Sequence, residues 1–366
     1  AKPGVILLRA ADLGEDSYQS LLISLLRGLA AVQVAAAHLR SEFFPGLRTI
    51  ADPPLAYQAL AFFTGFAHQA VVLFFLISGW LVGGSLLNKI GRPQALGAYA
   101  IDRASRLWTV LIPTFTLMLL FGMLEGQLLP NTIDYSSSNS HSVLSFAGNL
   151  VGLQTVTLPQ FGGNYALWSL AILTWYFLLF PLLVRLLTAR TARRHARALA
   201  VLLGIALALP YAITLYFLVW LLGAIFSRVR IDCALPLRVA MVALFALVSV
   251  YFRLTGSNDD LVPASFVQDL VYSLAFLAIL SSIQAKQDMQ SRPLARLRRG
   301  AKLFADFSFT LYVFHVPLIH LMQHIGNRVW GGYRLSPAEW ADYGIYAGLL
   351  GAILALSYGS FLLFEA

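Results

Sequence analysis

LISLLRGLAAVQVAAAHLR, residues 22–40, decides how the rest of this chain is read. The run is apolar and long enough to cross a bilayer as a helix. It also carries Arg27 and, eleven residues later, His38. At about 100° per residue, that spacing makes about three turns and a small remainder, so both side chains project from one face, separated by about 16 Å along the axis. An arginine within hydrocarbon costs about 2.5–3.5 kcal/mol on insertion scales unless it faces protein, water or an anion. Function is the default reading of such a residue; pairing with an acid or with exposed backbone carbonyls is the structural one.

Composition places the whole chain in the same class. Of 366 residues, 58% are hydrophobic and only 12% charged, and the mean hydropathy is +0.72, which is the signature of an all-α polytopic membrane protein. A pI near 9.8 would suggest nucleic acid for a soluble chain. Here the cations alternate with apolar spans, as orientation in a bilayer requires, so nucleic acid is discounted. The single cysteine, Cys233, excludes an internal disulfide and a cysteine-rich metal site. The first residues hold only the short apolar run Val5–Leu8, followed by Asp12, Glu15 and Asp16, so no signal peptide is expected.

Apolar windows predict about ten spans, near 20–39, 60–86, 107–124, 165–187, 198–211, 213–227, 236–254, 264–284, 304–324 and 343–364. The fifth and sixth are short and turn at Leu209-Pro210-Tyr211, so half-helices or a re-entrant hairpin are expected there. With the N-terminus cytoplasmic, the inner segments collect Lys2 and Arg9; Lys89, Arg92, Arg103 and Arg106; Arg185 to Arg197; Arg228, Arg230 and Arg238; and Lys286 to Lys302. Only Arg40, Arg48, Arg253, Arg328 and Arg334 fall outside. Both termini are therefore expected in the cytoplasm. The chain reads as one transmembrane domain, 1–366. Its longest outer loop, 125–164, holds the polar SSSNSHS and QFGGN stretches and is either an external cap or a flexible connector.

Four places could carry chemistry. His38, at the outer end of the first span, is suited to take a proton from a hydroxyl nucleophile. Lys89, Arg92, Arg103 and Arg106 gather where the second and third spans meet the cytoplasm, and Arg103 and Arg106, three apart, suit a bidentate grip on phosphates. A positive-inside cluster without a ligand is the alternative. FFLISGWLVGG, 74–84, puts Ser78-Gly79 in the middle of a span and Gly83-Gly84 at its end, which favours close helix packing. His315 precedes Pro317 by two; His320 and His324 share a face but lack a third ligand nearby, so no metal is expected.

Together these residues resemble the acyltransferase 3 family of ten-span membrane O-acyltransferases. The likeness lies in Arg27-x10-His38, FFLISGW (74–80), Arg103-x-x-Arg106, LWSLAILTWYFLLFPLL (167–183), YFLVWLLGAIFSR (216–228), FSFTLYVFHVPL (307–318) and YGSFLLFE (358–365). Two positions depart from the family's pattern: Leu173 stands where a glutamate is usual, and Ser24 where an acid is usual three before the motif arginine. The resemblance implies transfer of an acyl group, acetyl from acetyl-coenzyme A most often, to a hydroxyl of a glycan or lipid-linked sugar. His38 would be the general base and Arg27 would position the thioester. Arg103, Arg106, Lys89 and Arg92 would hold the acyl-coenzyme A donor. Ser78, Trp168, Ser169, Tyr176 and His315 would line the acceptor site, with no metal. It implies the inner membrane of a bacterium, among membrane lipids, with a homodimer left open. The competing readings are a transporter or flippase for a glycan or anionic substrate, and, given Leu173, a catalytically impaired member of the family.

Overall fold

A computed structural model describes residues 4–10, 13–14, 17–128, 133–255, 261–283 and 292–366. Among these, a short strand β1 (Gly4–Leu7) precedes α1 (Tyr18–Phe43), α2 (Leu55–Phe63), α3 (Ala67–Ser78), a π-helical turn at Gly79–Gly83, α4 (Gly84–Lys89) and α5 (Ala95–Leu124). Then come α6 (Val143–Leu150), α7 (Leu167–Leu187), α8 (Ala192–Ala208), α9 (Tyr211–Phe226), strand β2 (Val229–Asp232), α10 (Leu235–Thr255) and α11 (Pro263–Ser282). The chain ends in α12 (Arg292–Asp306), α13 (Ser308–Trp330) and α14 (Trp340–Phe364).

The protein is an all-α polytopic membrane protein. Seven helices among the described residues are long and apolar enough to cross a bilayer, and α12 with α13 qualifies as one further, bent span. The expected fifth and sixth spans are α8 and α9, of 17 and 16 residues, separated only by Leu209 and Pro210. At 1.5 Å per residue, each falls short of the roughly 30 Å of hydrocarbon, and the arginines that open α8 shorten its apolar part further. The expected third span proves to be the latter part of a 30-residue helix, α5. Lys2 and Lys286 of the charge pattern lie outside the described residues. The membrane reading is visible in α10, which buries none of its 21 residues and exposes Leu235, Val239, Val242, Leu247 and Leu254. Such a surface needs lipid around it.

The described residues group into two compact units. One comprises Ala1–Leu26, Val71–Ala104 and Ile172–Leu303; the other comprises Arg27–Ala70, Ser105–Ala171 and Phe304–Ala366.

In the first unit, β1 and β2 pair antiparallel, from Gly4 opposite Asp232 to Leu7 opposite Val229. Gln19 Nε2 donates to the Leu280 carbonyl at 2.9 Å, satisfying a C-terminal acceptor of α11. The seam between α9 and the α3–π segment is glycine on both sides. A Cβ at Gly79 would overlap the Trp220 carbonyl, and one at Gly223 would overlap the Leu76 carbonyl. The backbones touch directly, the arrangement small residues permit between membrane helices. Trp220, fully buried, donates its indole N–H to Ser78 Oγ at 3.1 Å. Further along α9, the Tyr216 hydroxyl donates to the buried Asp269 carboxylate at 2.5 Å, pinning α9 to α11.

In the second unit, the Tyr346 hydroxyl of α14 donates to the Ala36 carbonyl of α1 at 2.9 Å. Arg40 Nε donates to Thr64 Oγ1 at 2.9 Å. The segment around α6 is a packed cap. Phe161 is fully buried against Phe115 and Phe146. Asn149 accepts from the Phe161 N–H and donates to the Ser145 and Pro159 carbonyls. Its first turn is capped by Ser142 Oγ, which accepts from the Ser145 N–H. Gly162 turns the chain at φ 57°, against Met118 and His141.

Candidate active site

The site in the second unit begins with a backbone problem. Pro317 has no N–H, so the Val313 carbonyl, four residues earlier in α13, loses its intrahelical donor. Asn164 Nδ2, from the loop before α7, fills the vacancy at 2.8 Å. That bond fastens the loop carrying Asn164 and Tyr165 to α13 two residues before His315. The side chain of Asn164 is fully buried, and its Oδ1 finds no partner among the described residues.

His315 is itself fully buried. Its Nδ1 lies 3.2 Å from the Leu311 carbonyl. A carbonyl can only accept, so Nδ1 carries the proton and Nε2 is left as an acceptor. That nitrogen lies 2.8 Å from His38 Nδ1, which must therefore be the donor. The chain of bonds runs from His38 Nδ1–H to His315 Nε2, and from His315 Nδ1–H to Leu311. Its outcome is a tautomer of His38 whose Nε2 has a free lone pair. His38 is only partly buried, so that lone pair belongs to the accessible member of the couple.

Around the histidines stand Trp168 and Ser169, both expected from the sequence, and Tyr165, Glu42 and Tyr312, which were not. Tyr165 packs edge-on against His38, with centroids 5.0 Å apart, and lies 6.2 Å from the ring of His320. Glu42, one helical turn beyond His38 on α1, is the carboxylate whose charge acts on His38 and accepts from Gln323 Nε2 at 3.0 Å. Ser169 and Tyr312 share a hydroxyl–hydroxyl bond of 2.6 Å, and Tyr312 meets the His315 ring edge-on. Trp168 is partly buried beside Ser169 in the first turn of α7. Two signals in the sequence pointed here: the i,i+4 spacing of His38 and Glu42, and the orphan carbonyl that any mid-helix proline creates.

Arg27 lies on the same uninterrupted helix as His38. The charges acting on it are Arg106 and Asp306. Arg106 also acts on Glu365, which accepts a hydrogen bond from the Thr310 hydroxyl. Burial raises the Glu365 carboxyl above the ordinary range, against that bond and against the arginine. The charge of Arg106 thus acts on a residue of the first and a residue of the last of the sequence motifs.

In the first unit, Tyr176 is fully buried and its hydroxyl is committed to the Ile213 carbonyl at 2.9 Å. Ser78 accepts from Trp220. Within the first unit, Lys89, Arg92 and Arg103 have different surroundings. Arg103 donates through Nε to its neighbour Asp102 at 3.1 Å, and Lys89 is exposed at the end of α4. Arg92 instead lines a cleft of about 360 Å³ with Arg185, Thr188 and the first turn of α5 at Ala95, Leu96 and Gly97. Two guanidinium groups beside a helix N-terminus make the cleft attractive to an anion.

One family model, described as an acyltransferase domain and named for acyltransferase 3, matches residues 22–362, nearly the whole chain. No curated protein and no solved structure matches it.

Proposed function

Because this chain belongs to the acyltransferase 3 family, an integral membrane acyltransferase, we propose that it moves an acetyl group from acetyl-coenzyme A to a hydroxyl of a carbohydrate or lipid-linked glycan in the inner membrane of a bacterium. The observation that carries this reading is the hydrogen-bonded relay from His38 through His315 to Leu311, which leaves His38 Nε2 as a base.

In the proposed reaction His38 Nε2 takes the proton of the acceptor hydroxyl as that oxygen attacks the thioester carbonyl. The carbon–sulfur bond breaks, and the departing thiolate recovers the proton from His38. His315 stays neutral and holds the imidazole in register, while Glu42 stabilises the imidazolium formed in passing. Arg27, about 16 Å along the helix axis from His38, positions the acyl thioester. The donor's phosphates are proposed to sit at Arg92 and Arg185, with Lys89 and Arg103 as further cations of the same unit. Ser169, Trp168 and His315 remain the proposed lining of the acceptor side, His315 acting through its bonds to His38 and Leu311 rather than by touching the sugar. Ser78 and Tyr176, bonded within the first unit to Trp220 and the Ile213 carbonyl, are read as packing residues.

The test is acyl transfer in sealed vesicles. His38→Ala is expected to lower turnover by about 10²–10⁴-fold and Arg27→Ala to lower it strongly as well, and wild-type rates in both would end the proposal. Acetyl-coenzyme A is expected to raise the thermal stability of the purified protein, since a ligand that binds only the folded state must do so. Arg92→Gln with Arg185→Gln should remove that rise, and an undiminished rise would take the donor away from the cleft.

A further inference from the structure

The helix α12, RPLARLRRGAKLFAD, is not used by the proposed chemistry. Arg292, Arg296, Arg299 and Lys302 are all exposed. At about 100° per residue they fall within an arc of about 120°. Pro293, Leu297 and Phe304 occupy a neighbouring arc of about 40° and are exposed as well, Leu297 by 48% and Phe304 by 40%. Ala301 and Ala305, each 3% exposed, face protein, and the backbone and Cβ of Phe304 lie against Gly28. The cationic arc also holds Leu303, 43% exposed, and the exposed Asp306. The helix therefore has a protein edge, a partly uncovered apolar edge and a predominantly cationic edge, side by side.

We propose that α12 lies in the membrane surface and binds anionic phospholipid headgroups. Its cations are too many for it to cross hydrocarbon, yet its uncovered leucine and phenylalanine are poorly suited to water. A headgroup layer satisfies both edges at once, with acyl chains against Leu297 and Phe304 and phosphates against the cations. The location follows from the chain: Phe307 alone separates α12 from the apolar α13. The partner follows from charge complementarity, because Lys and Arg near an anionic leaflet are attracted to its headgroups.

The test uses the full chain with Cys233→Ser and Leu297→Cys, labelled with a polarity-sensitive fluorophore and reconstituted in phosphatidylcholine vesicles containing brominated acyl chains, with and without phosphatidylglycerol. The label is expected to be quenched by the brominated chains, more strongly when phosphatidylglycerol is present, and less so on adding salt. Arg296→Gln, Arg299→Gln and Lys302→Gln together should cut the preference for co-purified phosphatidylglycerol over phosphatidylcholine by about tenfold or more, whereas Arg296→Lys with Arg299→Lys should keep it. A label that stays in water in every bilayer would overturn the proposal, as would an undiminished lipid preference in the triple variant. If that variant does not fold, the salt response of the labelled chain with all its cations decides alone.

Discussion

The glycine seam at α9 and the His315 end of the histidine couple at α13 are both buried, but they account for their polar atoms in opposite ways. At the seam, Gly79 and Gly223 bring backbone onto backbone, and the one side-chain bond, Trp220 to Ser78, closes on itself. At the couple, a proline opens a vacancy, Asn164 fills it, and the bonds that follow end in a lone pair on His38. Burial at the seam yields close packing. Burial at the couple yields a chosen tautomer. A serine beside a glycine in mid-span and a histidine beside a proline look equally eventful in sequence, and only the second leaves reactive capacity over.

The sharpest way to break this contrast is to exchange the outcomes. His38→Ala is expected to lower acyl transfer by about 10²–10⁴-fold, the usual reach of general-base catalysis, with a fall in melting temperature no larger than the lost bond to His315 accounts for. Gly223→Ala should do the reverse, lowering the yield of folded protein and the melting temperature. Forcing the backbones apart costs about 1–3 kcal/mol or more, while the specific activity of whatever folds stays near wild type. If Gly223→Ala abolished turnover without loss of stability, the seam would belong to the chemistry.

Next in size is His315→Ala, which removes the acceptor for His38 Nδ1–H. The loss of such a buried bond, about 1–3 kcal/mol, corresponds to roughly 5–150-fold in rate. His315→Gln, whose amide oxygen can accept the same proton, should recover part of it, and equal rates for the two variants would reduce His315 to filler. Trp220→Phe should cost only about 0.5–1.5 kcal/mol in stability and nothing in turnover.

The smallest effect concerns the cap. His141 packs on Gly122, where a Cβ would lie 3.0 Å from its Nε2, and burial lowers its imidazole below the ordinary value of 6.5. The folded cap favours the neutral ring, so the stability it contributes is present above about pH 6.5 and is lost as the pH falls below it. Amide exchange in 134–162, corrected for intrinsic rates, should quicken on acidification and lose that response in His141→Gln.

The legible parts of this molecule were those with a local cause. The spans, the proline turn between α8 and α9, the packing role of Gly79 and the shared helix of Arg27 and His38 follow from hydropathy and helical period. The basic segment around Arg103 was readable as a cluster only in one dimension. In space, Arg92 finds Arg185 from α7, Arg103 finds Asp102, and Arg106 acts on Arg27 and Glu365. Leu173 is read, from the resemblance alone, as standing where a glutamate is usual. It could not announce that Glu42, held by Gln323, acts on His38.

By itself the sequence determined the solvent this protein folds in, the family it belongs to and the two residues of α1 most costly to leave without purpose. Those properties depend on composition and on spacing within one helix. The tertiary structure alone decided which nitrogen of His38 is basic. That choice rests on a bond to a residue 277 positions away, and a proton's place on an imidazole is set by whichever partner the other nitrogen meets.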